Sequence, residues 1–266
     1  EFRRVLFRSY SSYLMDCHLR LNTISTYMRM LRCIYNRGVD MHQTPYVHRM
    51  FRDVFTGIDT RQKKAIPINE LHTLLNEDPQ SDKLRRTQAI ANLLFLFCGM
   101  PFVDLAYLEK SNLEGNMLKY NRAKTGIPMN VEILDSAATI ISQLRNKHTT
   151  VLPEHPDYLF YILSGKNKRS DEAGYKEYQS ALRCFNNDLK SLARKLCIRS
   201  SVTSYTFRHS WATTAKYRGV PIEMISESLG HKSIKTTQIY LKGFELSERT
   251  KVNRLNYSYV MNFKTI

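Results

Sequence analysis

Residues 205–241 read YTFRHSWATTAKYRGVPIEMISESLGHKSIKTTQIYL, and this stretch decides the fold of the chain. Its spacing predicts three short helices, over residues 205–218, 221–229 and 233–241. Pro221 at the start and Gly230 at the end bound the second helix, because proline suits a first helical turn and glycine suits a helix end. Several short helices close together indicate a helical, globular segment.

The same stretch contains side chains that suit phosphoryl transfer. Tyr205 and Arg208 stand three residues apart on one helix face, His231 follows a helix end, and Tyr240 comes nine residues later. Breaking a phosphodiester without a metal requires a nucleophile, cationic donors for the non-bridging oxygens and an acid for the leaving oxygen. Tyr240, Arg208 with His231, and the upstream Lys124 fit these three roles.

The rest of the chain predicts a mainly helical protein with a small antiparallel β-sheet, an α+β fold. Strands are predicted over residues 117–120 and 128–133, and the turn between them carries Lys124. Further helices are predicted over residues 22–39, with Thr23 as cap and Gly38 as stop, over 67–75, from Ser81 or Asp82 to Gly99, and over 177–196.

The domain boundaries follow from composition. Residues 1–9 have no clear period, and we interpret them as a remnant of cloning or of sequence assembly. Residues 10–56 are predicted to be part of a helical domain, and the polar, basic residues 57–66 are predicted to be a linker. Residues 67–266 form the second predicted domain.

The charge of the chain favours a polyanionic partner. The 266 residues hold 40 Lys and Arg against 24 Asp and Glu, a formal net charge of +16, and the sequence pI is about 9.7. Residues 161–266 alone hold 19 basic and 8 acidic residues, a net +11. Such crowding is typical of a surface that follows DNA phosphates, although a merely solvated basic face stays an alternative.

Other partners and locations are disfavoured. No apolar run is long enough to span a bilayer, and no basic amphipathic helix with an aromatic face indicates a lipid surface. Five scattered cysteines, without a C-x-x-C pair, favour reduced thiols and a cytoplasmic protein.

The motifs Arg208-His209 and Leu229-Gly230-His231 through Tyr240 resemble, in order and spacing, the tyrosine recombinase or phage integrase family, especially integrases of conjugative transposons and related mobile elements. The resemblance covers about residues 12–255. It implies an N-terminal core-binding domain and a catalytic domain that enclose duplex DNA, with assembly as a dimer and then a tetramer. It also implies a DNA-bending accessory protein as a further possible partner. No cofactor is needed, because the energy of the cleaved phosphodiester bond is conserved.

The resemblance also implies a role for each site residue. Tyr240 attacks the scissile phosphate to form a 3′-phosphotyrosyl enzyme, and Arg208 binds that phosphate. His231 hydrogen-bonds the phosphate or helps to take the tyrosine proton. Lys124 donates a proton to the leaving 5′ oxygen or only contacts the phosphate, and Tyr205 stands where the family usually has histidine. Further predicted DNA contacts are Arg122, Lys232 and Lys235.

One departure from the family pattern puts activity in question. The first catalytic arginine is absent, because Pro101 stands at its usual position and Cys98 stands where similar chains carry it instead. Loss of one donor typically costs about 10²–10³ in rate. We therefore expect a weakened enzyme, or one in which Arg122 or Lys119 compensates.

Several alternatives stay open from sequence. A DNA-binding accessory relative that has lost catalysis is one, and a type IB topoisomerase that relaxes DNA alone is another. His209 is interpreted as a buried structural hydrogen-bonder and Asp104 as local support. The tail over residues 257–266 is either a core element or a segment passed to a neighbouring protomer.

Overall fold

A computed structural model describes residues 2–57, 59, 65–145, 157–167, 169–241 and 246–261. For residues 2–4, 239–240, 246–249 and 259–260 it describes the backbone alone. The chain divides into two compact units, residues 1–62 and 63–266. Most of the predicted linker, residues 58 and 60–64, lies outside the described residues.

The first unit is built on two helices, α1 (Phe2–Asp16) and α2 (Leu21–Asp40). Residues 2–9 belong to α1, although their sequence shows no clear period, and the ring of Phe7 lies 4.5 Å from that of Phe51. The predicted range of α2, residues 22–39, matches the observed one to within one residue at each end, but Thr23 is not its cap and Gly38 is not its stop, because both lie inside the helix. The buried core consists of Leu14, Ile24, Met28, Met50, Phe51 and Val54.

The second unit begins with helices that build its main core. They are α3 (Ile68–Asn76), α4 (Asp82–Leu96), α5 (Phe102–Ala106), α6 (Asp135–Leu144) and α7 (Glu172–Lys195). The rings of Phe102 and Phe185 stack with centroids 4.7 Å apart, which joins α5 to α7. The sequence did not predict α6, and it placed the start of α7 five residues too late.

A three-stranded antiparallel sheet lies between α5 and α6 in the chain. A short 3-10 helix (Lys110–Asn112) leads into β1 (Leu113–Glu114), β2 (Met117–Asn121) and β3 (Pro128–Glu132), in the order β1-β2-β3. Leu118 pairs with Val131 across the predicted hairpin, and both side chains are buried. The predicted α+β class is therefore confirmed, with one short strand more than expected.

The last part of the unit contains α8 (Thr206–Tyr217), α9 (Ile222–Ser228), α10 (Ile234–Tyr240) and α11 (Leu246–Met261). The first three match the predicted helices to within about one residue at each end. Residues 257–261 of the predicted tail belong to α11, and residues 262–266 lie outside the described part. Within the described ranges, no helix is both long and apolar enough to cross a membrane.

The turn after α4 places backbone atoms directly against α8. Cys98 and Gly99 both have positive φ angles, 53° and 68°, so the chain reverses within two residues. A Cβ on Gly99 would lie 2.9 Å from the Cα of Arg208 and 3.3 Å from the Cβ of Trp211. Glycine is required here both by its φ angle and by this close approach.

We predict that Gly99→Ala lowers the free energy of unfolding by about 2–5 kcal/mol, because a left-handed backbone and an overpacked contact add together. Gly115→Ala is the matched control. Gly115 also has a positive φ, 61°, but a Cβ there would meet no described atom within 4 Å. Urea denaturation should give the control a loss of only about 1–2 kcal/mol, and equal losses would contradict the steric argument.

Candidate active site

Arg208 lies in the first turn of α8 and is almost fully buried, with 1% of its surface exposed. Its Nη1 donates a hydrogen bond to the carbonyl of Gly99 (3.0 Å), and its Nη2 donates to the carbonyl of Leu229. Nη2 also lies 3.1 Å from Nε2 of His231. A buried cation needs such acceptors to offset its desolvation, and with all of them in place the guanidinium is held in one orientation.

His231 follows α9 and is oriented from its other side by α10. Its Nδ1 lies 2.8 Å from Oγ1 of Thr237, a fully buried residue. Because the Arg208 guanidinium only donates hydrogen bonds, Nε2 must accept and Nδ1 must carry the proton. Burial, followed by the charges of Arg208, Arg122 and Lys124, lowers the pKa of His231 to about 4. The imidazole is therefore neutral at pH 7.

The β2–β3 turn brings further groups to the same loop. Nη1 of Arg122 donates to the carbonyls of Leu229 (2.8 Å) and Gly230 (3.0 Å), and Oγ1 of Thr125 donates to that of Gly230 (3.3 Å). A Cβ on Gly230 would lie 2.8 Å from Cδ of Arg122. Lys124 is exposed in this turn, close enough for its charge to act on His231.

Asp104 connects α5 to this turn. One oxygen accepts a hydrogen bond from the backbone N–H of Ala123 (2.9 Å), and the other lies 3.6 Å from Nε of Arg122. Burial raises the pKa of Asp104, while the charges of Arg122 and Arg208 oppose that rise. Asp104 therefore supports the local structure, as its sequence position suggested, and its partner is Arg122.

The positions of the missing arginine lie at the edge of this arrangement. Cys98 is partly buried and directly precedes Gly99, whose carbonyl holds Arg208, and burial raises the pKa of its thiol. Pro101 precedes α5 and has no side-chain donor. Of the two bases expected to compensate, Arg122 lies in the site, whereas Lys119 pairs with Glu114 on the exposed part of the hairpin.

The nucleophile candidate is placed by its backbone. Tyr240 is the last residue of α10, three residues after Thr237, which contacts His231. The side chain of Tyr240 lies outside the part that the structure describes. Its role as nucleophile stays a prediction.

The remaining predicted residues lie around the site. Tyr205 precedes α8, is 39% exposed, and packs edge-on against the buried ring of His209, with centroids 5.0 Å apart. Lys232 and Lys235 are both exposed, at the start of the α10 region. Lys232 and His231 line an open groove of about 640 Å³ between β3 and the α9–α10 loop.

Sequence reasoning missed two residues that the structure places here. Thr237 fixes the tautomer of His231, and Thr125 holds the Gly230 loop. Both are short hydroxyl side chains close in sequence to predicted site residues. No one-dimensional signal separates them from other threonines, because their roles depend on hydrogen bonds made across the fold.

The chain is similar in sequence to known proteins. A model of the phage integrase family matches residues 64–245. The chain is 30% identical over 195 residues to the tyrosine recombinase XerA of Pyrococcus furiosus, a match that covers 73% of this chain and 62% of XerA. It is 24% identical over 226 residues to the tyrosine recombinase XerD of Listeria monocytogenes, covering 82% and 70% of the two chains. The chain thus spans less than two thirds of the length of XerA.

Solved structures share the fold at low sequence identity. XerH site-specific recombinase in a post-cleavage complex with palindromic difH substrate aligns with a TM-score of 0.66 at 16% identity, over 98% of this chain and 72% of XerH. The Tn1549 transposon integrase in complex with circular intermediate DNA aligns with a TM-score of 0.60 at 13% identity, over 92% and 82% of the two chains. From the family model, the relatives and this shared fold, we conclude that the chain belongs to the phage integrase family of tyrosine recombinases.

Proposed function

We propose that this protein is a site-specific recombinase that cuts and rejoins duplex DNA through a 3′-phosphotyrosyl intermediate, to integrate or excise a mobile element. The observation that carries the proposal is the contact of Arg208 with His231, and of His231 with Thr237 on α10, the helix that ends at Tyr240. A phosphate-binding cation, a base and the backbone of a nucleophile thus converge within one unit. Family membership supports the same chemistry.

In the proposed reaction, the phenolic oxygen of Tyr240 attacks the scissile phosphorus in line with the leaving 5′ oxygen. A bond from Tyr240 to phosphorus forms as the bond to the 5′ oxygen breaks, and Lys124 donates the proton that makes it a hydroxyl. The 5′-hydroxyl of a partner strand then attacks the phosphotyrosyl bond and releases Tyr240. One ester replaces another at each step, so no nucleotide cofactor is consumed.

The protonation of His231 favours one of its two expected roles. With Nδ1–H donated to Thr237, Nε2 has no proton to offer a phosphate, and its one lone pair accepts from Arg208 until that guanidinium donor turns to the phosphate. We infer that Nε2 takes the proton of Tyr240 as the phenol attacks. A bound phosphate would promote this step, because a nearby anion favours the imidazolium, and the resulting Nε2–H could then donate to the phosphate.

DNA binding is proposed for both units. In the first unit, a surface groove of about 420 Å³ is lined by Tyr46 and by three exposed arginines, Arg32, Arg49 and Arg52. In the second unit, Lys232 and Lys235 are exposed beside the site. Guanidinium and ammonium groups bind backbone phosphates without reading sequence, so this affinity should weaken with salt.

We propose the domain roles and the assembly on the same basis. Residues 10–56 would form the core-binding domain, 57–66 the linker and 67–266 the catalytic domain; the division into units at residues 62 and 63 supports that boundary. A lambda integrase that shares the fold is solved as a dimer bound to its core site. We propose dimers and then tetramers on DNA in the bacterial cytoplasm, with a DNA-bending protein as a further partner.

The proposed covalent intermediate can be trapped on a nicked DNA. A duplex selected by repeated binding from a pool of random sequence, and nicked near its centre, should trap a covalent adduct because the short cleaved strand diffuses away. Tyr240→Phe should abolish the adduct, and Arg208→Lys should reduce it about 10²-fold, because lysine cannot reproduce the guanidinium fork. Denaturing gels measure the adduct.

Tyr161→Phe is the matched control, since Tyr161 is 58% exposed and should leave the yield unchanged. Absence of an adduct from both the wild type and Cys98→Arg would contradict the proposal and leave DNA binding alone. Relaxation of any supercoiled plasmid, regardless of sequence, would instead indicate a topoisomerase.

The free energy of unfolding should depend on pH through His231. Because the pKa of folded His231 is about 4, below its ordinary 6.5, the unfolded chain takes up a proton between pH 6.5 and 4 that the folded chain does not. The free energy of unfolding should therefore fall as the pH drops through that range. Proton NMR should place the His231 midpoint near 4 in the free protein and higher when a nicked duplex is bound. His231→Gln assigns the resonance, and a midpoint near 6.5 in the free protein would contradict the burial argument.

A further inference from the structure

We propose that Arg122 takes the place of the missing first arginine and binds the scissile phosphate beside Arg208. This inference rests on the proposed function, because it names a second phosphate-binding group of the same site. Arg122 comes from the β2–β3 turn, whereas the positions that lack the arginine, Cys98 and Pro101, lie between α4 and α5. The cation would thus reach the site from a neighbouring element of the fold.

The carboxylate of Asp104 has Arg122 as its cationic partner. It stands three residues after Pro101, its side chain is only 1% exposed, and Nε of Arg122 lies 3.6 Å from it. A buried carboxylate without a cation is costly. The acid that follows the position of the missing arginine therefore has its counter-ion in Arg122.

Arg122 lies directly beside Arg208. Both guanidiniums donate to the same carbonyl oxygen, that of Leu229. Two cations so close repel each other, and Asp104 balances at most one of them. The low pKa of His231, to which both arginines contribute, agrees with an excess of positive charge. An anion such as a phosphodiester would relieve that excess.

The guanidinium of Arg122 keeps one donor that its contacts with the described part of the chain do not use. Nη1 of Arg122 is used by the two carbonyls of the Leu229–Gly230 loop, and Nε is fully enclosed next to Asp104. Among the described residues, Nη2 of Arg122 has no hydrogen-bond partner, and it is not one of the polar atoms fully shielded from solvent. One donor of a rigidly held guanidinium is therefore available to a non-bridging oxygen.

The test separates phosphate binding from structural support by changing the charge of the phosphate. A methylphosphonate replaces one non-bridging oxygen by a methyl group, so the reacting group loses its negative charge and needs one cationic donor less. Nicked duplexes selected as above, with the cleavage position mapped, would carry either a phosphodiester or a methylphosphonate at that position. The rate of covalent adduct formation is the readout.

Arg122→Gln should reduce the rate on the phosphodiester by about 10²–10³-fold, the usual effect of one lost donor, and on the methylphosphonate by less than about tenfold. Arg85→Gln is the matched control. Arg85 is an exposed arginine of α4 paired with Asp78, and this variant should match the wild type on both duplexes.

Equal losses for Arg122→Gln on the two duplexes would show that Arg122 only supports the loop, and would overturn this inference while the proposed function stands. Absence of an adduct from the wild type and from Cys98→Arg on both duplexes would overturn the proposed function and this inference with it, whereas an adduct from Cys98→Arg alone would overturn only this inference. If Arg122→Gln does not fold, Arg122→Lys decides by the same ratio. Lysine keeps the charge but not the fork, so a loss of about tenfold on the phosphodiester alone is expected, and equal losses again overturn the inference.

Discussion

The carbonyl oxygen of Leu229 accepts hydrogen bonds from two buried guanidiniums, Arg208 of α8 and Arg122 of the β2–β3 turn. These two side chains join three parts of the second unit that are far apart in sequence. A guanidinium has five donors in a fixed plane, so it can hold several carbonyls at once and still present a donor elsewhere. The rest of the site depends on this arrangement. His231 follows Leu229 by two residues, and the same Arg208 nitrogen that donates to Leu229 also contacts the histidine ring.

Two glycines make that arrangement sterically feasible. Gly99 lies against the backbone of Arg208, and Gly230 lies against the side chains of Arg122 and Met129. The two glycines both have positive φ angles. A Cβ at Gly99 would move its carbonyl away from Arg208, and a Cβ at Gly230 would move its carbonyl away from Arg122. The close packing also accounts for the electrostatics, since burying cations around His231 lowers its pKa and keeps its ring neutral.

The absence of the family's first arginine takes on a different meaning in this setting. At the level of sequence, Cys98 and Pro101 indicated either a weakened enzyme or one in which Arg122 or Lys119 compensates for the missing cation. In the structure, the partner carboxylate of that region, Asp104, already contacts an arginine from the hairpin. A protein can keep the electrostatics of a site while the charge moves to another element, because an anion responds to the position of a cation and not to its place in the chain.

Much of the fold could be predicted from local patterns. The helices α8, α9 and α10 were bounded to within about one residue. For α9 the reason is local, because proline fixes φ at Pro221 and glycine readily adopts the positive φ that Gly230 has just after the helix. The helices α1, α6 and α11 were missed. For α1 and α11 the reason is that they carry their apolar residues without a clear period. Gly38 does not end α2 as predicted, because the packing of the helix overrides the weak tendency of glycine to interrupt it.

The sequence by itself determined the family, the excess of positive charge and the identity of the phosphoryl-transfer candidates, since motif order, composition and residue chemistry are all properties of the linear chain. Only the tertiary structure decided that Arg122 is buried beside Arg208, that Thr237 sets the tautomer of His231, and that Lys119 pairs away from the site. The guanidinium of Arg122 donates to a carbonyl 108 positions away in the chain, and that of Arg208 donates to one 109 positions away. Hydrogen bonds and desolvation depend on distances in space, which the order of residues does not record.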